Sequence, residues 1–149
     1  MGIIEQHAYE PIVGDPDDHR PNSVWTIAID PASRGVDGGV RGLTLIFERI
    51  APGDAIPPLH THSVEEVVIV DAGRAEATLA GERRTLDPEA CLFVPPGTPH
   101  GMRNAGEGML RLHAAFAAPA IDVTYLERNP APGTENAPPQ PPVVYDPRA

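Results

Sequence analysis

Proline and glycine cut this chain into pieces too short for regular helices. There are 19 prolines and 14 glycines among 149 residues, and each proline removes a backbone donor and fixes φ. Between these breaks stand short extended runs. Val67-Val68-Ile69-Val70 is β-branched throughout, which favours strand over helix. No segment carries the apolar period of an amphipathic helix. Many short strands joined by Gly and Pro turns point to an all-β sandwich or barrel.

The strands can be placed by pattern. Ser23 to Ile29 reads as the first, followed by a breaker-rich loop over 30–39. Val40 to Ile50 is a long strand with Leu43, Leu45 and Phe47 on one face and Thr44, Ile46 and Glu48 on the other. Ala75 to Leu79 and Glu82 to Leu86 flank Ala80-Gly81, a hairpin signal. Cys91 to Val94 reads as a buried strand, with Cys91 as a small hydrophobe. Met109 to Phe116 is the last strong strand. The expected organisation is an arm over 1–21, a barrel domain over 22–120 and a proline-rich tail over 121–149. Val143, Val144 and Tyr145 are the tail's expected anchors.

Chemistry concentrates in two stretches. The first, GDAIPPLHTHSVEEVVIVDAG, carries His60, His62 and Glu66. The second, PPGTPHGMRN, carries His100 after a stiff turn. Residues two apart on a strand share a face, so His60 and His62 can offer two imidazoles to one ion. Ser63-Val64 would turn the chain back, and Glu66 would open the next strand. Three imidazoles and a carboxylate suit a divalent transition metal better than calcium or magnesium.

These two stretches resemble the motifs of the cupins. Gly53, His60, His62, Glu66 and Gly73 follow the order of the family's first motif, with one extra residue before His60. Pro95, Gly97, His100 and Asn104 follow the second, with Glu89 standing where the family has a leading glycine. The resemblance covers roughly the middle half of the chain, and the two motifs together are specific. It implies a jelly-roll barrel with His60, His62, Glu66 and His100 as metal ligands. In such a site four octahedral positions are filled and two stay open, which marks a catalytic rather than a structural centre.

The expected function is that of a metal-dependent dioxygenase on a small enolic or aromatic compound, with iron as the first metal and manganese, nickel, zinc or copper as others. By resemblance to quercetinase-like cupins, Glu66 also acts as base toward the substrate hydroxyl. Two other functions stay open: a redox-neutral isomerase, cyclase or lyase on a sugar or polyketide-like compound, and a non-catalytic binding cupin. A second proton-transfer group beside the metal would favour the redox-neutral enzyme. The pocket wall is expected from Ile46, Val68, Phe93 and Met102. Arg111 and His113 share a strand face that lines the pocket or meets solvent; parity alone does not decide.

Charge and composition narrow the partners. The net charge is −10 with no lysine, which argues against nucleic acid and anionic membranes and excludes lysine Schiff-base catalysis. One cysteine allows no internal disulfide. The N-terminus lacks the pattern of a secretory signal, so a cytoplasmic location is expected. Arginine without lysine, with much Ala, Gly and Pro, points to a GC-rich bacterial source. With Glu66 facing inward, Val67 and Ile69 face outward and need cover. A two-fold homodimer is therefore expected, with an arm or tail crossing onto the partner.

Overall fold

The computed structural model describes residues 2–29, 40–54 and 59–146. Twelve strands form two six-stranded antiparallel sheets, with no helix among the described residues. The first sheet runs β1 (Glu10–Asp15), β2 (Asp18–Ile29), β3 (Thr44–Ile50), β10 (Leu110–Phe116), β5 (Glu66–Ala72), β8 (Cys91–Val94). The second runs β12 (Val143–Tyr145), β11 (Ile121–Tyr125), β4 (His60–Thr61), β9 (His100–Asn104), β6 (Ala75–Leu79), β7 (Glu82–Leu86). The chain is an all-β jelly roll.

Period-two burial makes the core. On β10, Leu110, Leu112, Ala114 and Phe116 are buried while Arg111 is exposed. On β5, Glu66, Val68 and Val70 point inward and Val67 outward. Residues from both sheets close the core, including Ile50, Ala77, Met102 and Val123. Phe116 is 2 % exposed, so truncation to Ala would cost about 3–5 kcal/mol.

Turns fix the registers. Ala80 and Gly81 both have positive φ, 50° and 85°, as a two-residue hairpin of matching twist requires. Gly73, at φ 86°, admits no side chain, because a Cβ would lie 2.9 Å from the Met109 carbonyl oxygen. Glu89 has φ 76°, the left-handed conformation that a glycine supplies without strain. Asn104 holds a turn: its Nδ2 donates to the Ile50 and Gly108 carbonyls, and its Oδ1 accepts from Gly106 N–H.

Three expectations change. The arm ends at Glu10, where β1 joins the first sheet against β2. The tail's first residues form β11, which pairs with β4 at the centre of the second sheet. β11 is held by a distant partner, β4, whereas β1 is the first strand of a hairpin with β2 whose bulges interrupt the period-two pattern. Cys91 and β8 are at a sheet edge, with Cys91 exposed; only Leu92 and Val94 turn inward. The loop expected over 30–39 lies outside the described residues.

The tail is tied to its own barrel. Asp17, buried in the β1–β2 turn, accepts from Arg128 Nε and from the Gln140 backbone N–H. Arg128 Nη1 donates to the Ala137 carbonyl at 2.8 Å. Val143–Tyr145 then pairs with β11, and Tyr145 meets Trp25 edge to face at 5.7 Å.

Candidate metal centre

His60 and His100 are directly opposite each other on β4 and β9, with ring centroids 4.3 Å apart. His62 joins them at 4.8 and 5.0 Å. Ring nitrogens of all three lie within 4.8 Å of one another. The pleat does not place His62, since β4 ends at Thr61. β11 does so instead: the Asp122 carbonyl meets His62 Nδ1 at 2.6 Å. The Asp122 carboxylate takes the Ser63 N–H and hydroxyl, pinning the bend. His100 Nδ1 meets the Thr98 carbonyl at 2.9 Å. With protons on these two Nδ1 atoms, both Nε2 lone pairs face the cluster, the usual orientation of ligating histidines.

Glu66 approaches from the facing sheet. Its Oε2 is 2.8 Å from His100 Nε2 and 3.4 Å from His62 Nε2. The 2.8 Å approach is not aligned as a hydrogen bond, and both atoms are buried without a hydrogen-bond partner. Two such buried atoms converging fit a cation between them. Burial opposes the Glu66 charge, yet His100 and His62 outweigh it and hold the carboxyl down to about 2. Burial also opposes a charged His62, but Glu66 and the Asp122 carbonyl raise it above its ordinary value.

The cluster opens on a cavity of about 450 Å³ between the sheets. Ile46, Val68 and Met102 line it. Phe93 does not: on β8 it pairs with outward-facing Val67 of β5 and is 55 % exposed. Leu92 takes its place in the wall. Arg111 and His113 also lie on the outer face, paired across β10 and β3 with Arg49 and Phe47. They line a separate surface groove, where His113 Nδ1 meets Asp71 at 2.8 Å.

Sequence reasoning missed several cavity residues. Tyr125, across from His60 on β11, has its ring centroid 6.2 Å from the imidazole. Trp25, Gln140 and Tyr145 line the cavity from the hairpin and tail. Asp18, Arg20 and Glu48 add a charged cluster to the same cavity. Arg20 Nε and Nη2 each donate to Asp18 at 2.9 Å, and Nη2 reaches Glu48 Oε1 at 3.2 Å. Glu48 had a legible signal, an acid on the inner face beside Ile46. Burial pushes its carboxyl up, Arg20 opposes this and Asp18 adds to it.

The family model described as "Cupin domain" matches residues 46–116. Residues 46–116 are a cupin domain. The cupin resembles the polyketide cyclase RemF from Streptomyces resistomycificus over 93 % of this chain and 94 % of that one, at 19 % identity and a TM-score of 0.70. KdgF from Halomonas sp. aligns over 78 % and 91 %, at 20 % identity and a TM-score of 0.58. A variant of the salicylate 1,2-dioxygenase of Pseudoaminobacter salicylatoxidans, in complex with gentisate, aligns over 71 % of this chain and 28 % of that one, at 21 % identity and a TM-score of 0.57. These likenesses are of fold. No curated protein matches the cupin's sequence. No helix among the described residues is long and apolar enough to cross a membrane.

Proposed function

We propose that this cupin is a metal-dependent, redox-neutral enzyme of the cyclase or lyase kind, acting on an aromatic or polyketide-like carbonyl compound. Tyr125 carries the reading: a phenol beside His60 puts a proton donor and acceptor at the metal centre. Such chemistry needs proton transfers and charge stabilisation, with no external electron acceptor.

His60, His62, Glu66 and His100 would hold one divalent transition metal. When bound, it supplies a Lewis acid for the charge that develops on a carbonyl oxygen. The chain's residues do the rest. Val68, Leu112 and Phe116 form an apolar wall that aligns a flat substrate and excludes water. Tyr125 donates a proton to the developing oxyanion and recovers it on product release. Asp122 and Thr98 keep the imidazoles turned toward the centre. The fold likeness to a polyketide cyclase over 93 % of this chain supports this reading. A redox-neutral role places no requirement for iron on the site.

The dioxygenase reading is kept by the ligand set, which suits oxygenase metals as well. One experiment separates the two. Metal-replete protein is offered a panel of poly-β-ketone and phenolic compounds with and without oxygen. Products of unchanged mass, or lighter by one water, formed at equal rates under both conditions are expected. Stoichiometric oxygen consumption would move the assignment to a dioxygenase.

A further inference from the structure

The cavity has a second polar pole, away from the sequence motifs. Its members come from the first sheet: Asp18 and Arg20 on β2, Glu48 on β3. All three line the cavity that holds His60, His62, Glu66 and His100. Arg20 is 4 % exposed and Asp18 is 7 %. Burying a guanidinium and a carboxylate this deeply is unfavourable until pairing offsets it. An apolar pair of similar volume would hold the hairpin as well, so the retained charges suggest a use beyond stability.

The pairing is also incomplete. Arg20 engages Asp18 through both oxygens, but only Oε1 of Glu48. Arg20 Nη1 is buried with no hydrogen-bond partner among the described residues. An unpaired buried donor of a charged group is unfavourable. The cluster thus presents an unsatisfied N–H and a second carboxyl oxygen beside the same cavity. Two carboxylates share one guanidinium, and the Glu48 carboxyl is raised above its ordinary value. Its burial and the neighbouring Asp18 push the same way, with Glu66 adding a weaker contribution and Arg20 opposing.

We infer that Asp18, Arg20 and Glu48 form a second substrate-binding pole, which takes a neutral hydroxyl or carbonyl oxygen of a compound whose other oxygen function lies at the histidines. This rests on the reading of the cavity as a site for polyketide-like or aromatic compounds. The oxygen accepts from Arg20 Nη1, with a small shift of the guanidinium. Protonated Glu48 donates to a carbonyl oxygen, and ionised Glu48 accepts from a hydroxyl. When an enol is bound, its O–H bond breaks toward Glu48 Oε2 and the oxygen becomes a carbonyl. The C=C electrons form the bond to the carbonyl carbon held at the histidines, that carbonyl's π electrons pass to its own oxygen, which takes a proton from Tyr125, and no electron leaves the substrate. Asp18 is a positioning residue, holding Arg20 through a bidentate pair.

The test compares 2-naphthol with 2-methoxynaphthalene by calorimetry, on the full chain as purified with its metal. The two probes share ring and shape, and the ether lacks the hydroxyl proton. Wild type is expected to bind the naphthol about 10-fold tighter, the worth of one hydrogen bond to a charged or buried partner. Glu48→Leu removes the acceptor and leaves Asp18–Arg20 a matched pair, so the preference should fall to within about 2-fold. Equal binding of both probes by wild type overturns the inference. So does a preference that survives in Glu48→Leu, because it then comes from the histidine end. If that variant does not fold by thermal melt, Glu48→Asp draws the carboxyl back and should cut the preference several-fold; an unchanged preference overturns the inference equally. The readout needs no turnover. A collapsed preference in a protein inactive on the whole panel sinks the enzymatic reading alone. Turnover with no probe preference sinks this inference alone.

Discussion

His62 shows how far one side chain depends on its surroundings. It lies beyond the end of β4 and is aimed by a carbonyl 60 positions later in the chain. Replacing it with Ala removes one imidazole of three. Loss of an orienting partner alone typically costs ~10–100-fold in metal affinity, and loss of a ligand should exceed that. His62→Ala purified beside wild type should carry less than a tenth of the metal by elemental analysis; equal content would remove His62 from the ligand set. Protonation gives a second residue-level outcome. In the metal-free protein Glu66 is lowered from 4.5 to about 2, so its contribution to stability is present above pH 4.5 and fades toward pH 2. His62 is raised from 6.5, so its contribution is present below 6.5 and fades as pH rises through the raised value. The pair therefore favours the metal-free fold between about pH 4.5 and 6.5. Metal competes with those same protons. Melting curves from pH 5 to 8 should show the metal-free midpoint losing this support on the alkaline side while the increment from added zinc grows. A zinc increment independent of pH would argue against imidazole ligands.

At the scale of elements, the turn before β8 gives a cleaner test. Glu89 is exposed and left-handed at φ 76°. Relief of backbone strain, about 1–2 kcal/mol, outweighs the greater chain entropy of glycine, about 0.5–1 kcal/mol. Glu89→Gly should stabilise the fold by about 0.5–1 kcal/mol in urea titrations, and a destabilised variant would show that the side chain does more than fill the turn. This departure from the family pattern was legible in the sequence, as were the β6–β7 hairpin and the face that Glu48 shares with Ile46. Phe93 was not, because its side is set by register: Glu66 pairs with Val94, which forces Phe93 outward opposite Val67. Arg111 and His113 were ambiguous for the same reason, and their pairing with Arg49 and Phe47 resolves them. Period two tells which residues share a face and never which face is inside. Asp122 and Tyr125 escaped notice because the strand that carries them is held by β4, over 59 residues away, and its own sequence is short and mixed.

For the whole molecule, an apolar patch stays open on the outer face of the first sheet. Val67 is 37 % and Phe93 55 % exposed, and they are cross-strand partners. The N-terminal segment covers only part of this face, with His7 on Phe47 at 5.0 Å and the Arg49 guanidinium 4.1 Å from the Tyr9 ring centroid. We propose that a second copy covers the rest. Strands β1 and β12 pair within their own chain, so the sheet face itself, not a crossing strap, would form the contact. Light scattering at micromolar concentration should give a dimer that withstands high salt, and Phe93→Arg should shift it to monomer. A wild-type monomer would end the proposal.

The single tryptophan has a photophysical consequence. Trp25 faces the cavity on one side and the Tyr145 ring on the other. Its indole thus senses two events, a change in the polarity of the cavity and the seating of the tail. Emission excited at the red edge of indole absorption should shift to the blue when a non-fluorescent apolar compound enters, and to the red when Tyr145 is replaced by Ala. A spectrum indifferent to both would place the indole elsewhere in solution. If the shifts occur, the barrel reports its own occupancy without a label, and stopped-flow mixing can time ligand entry against the docking of the strap.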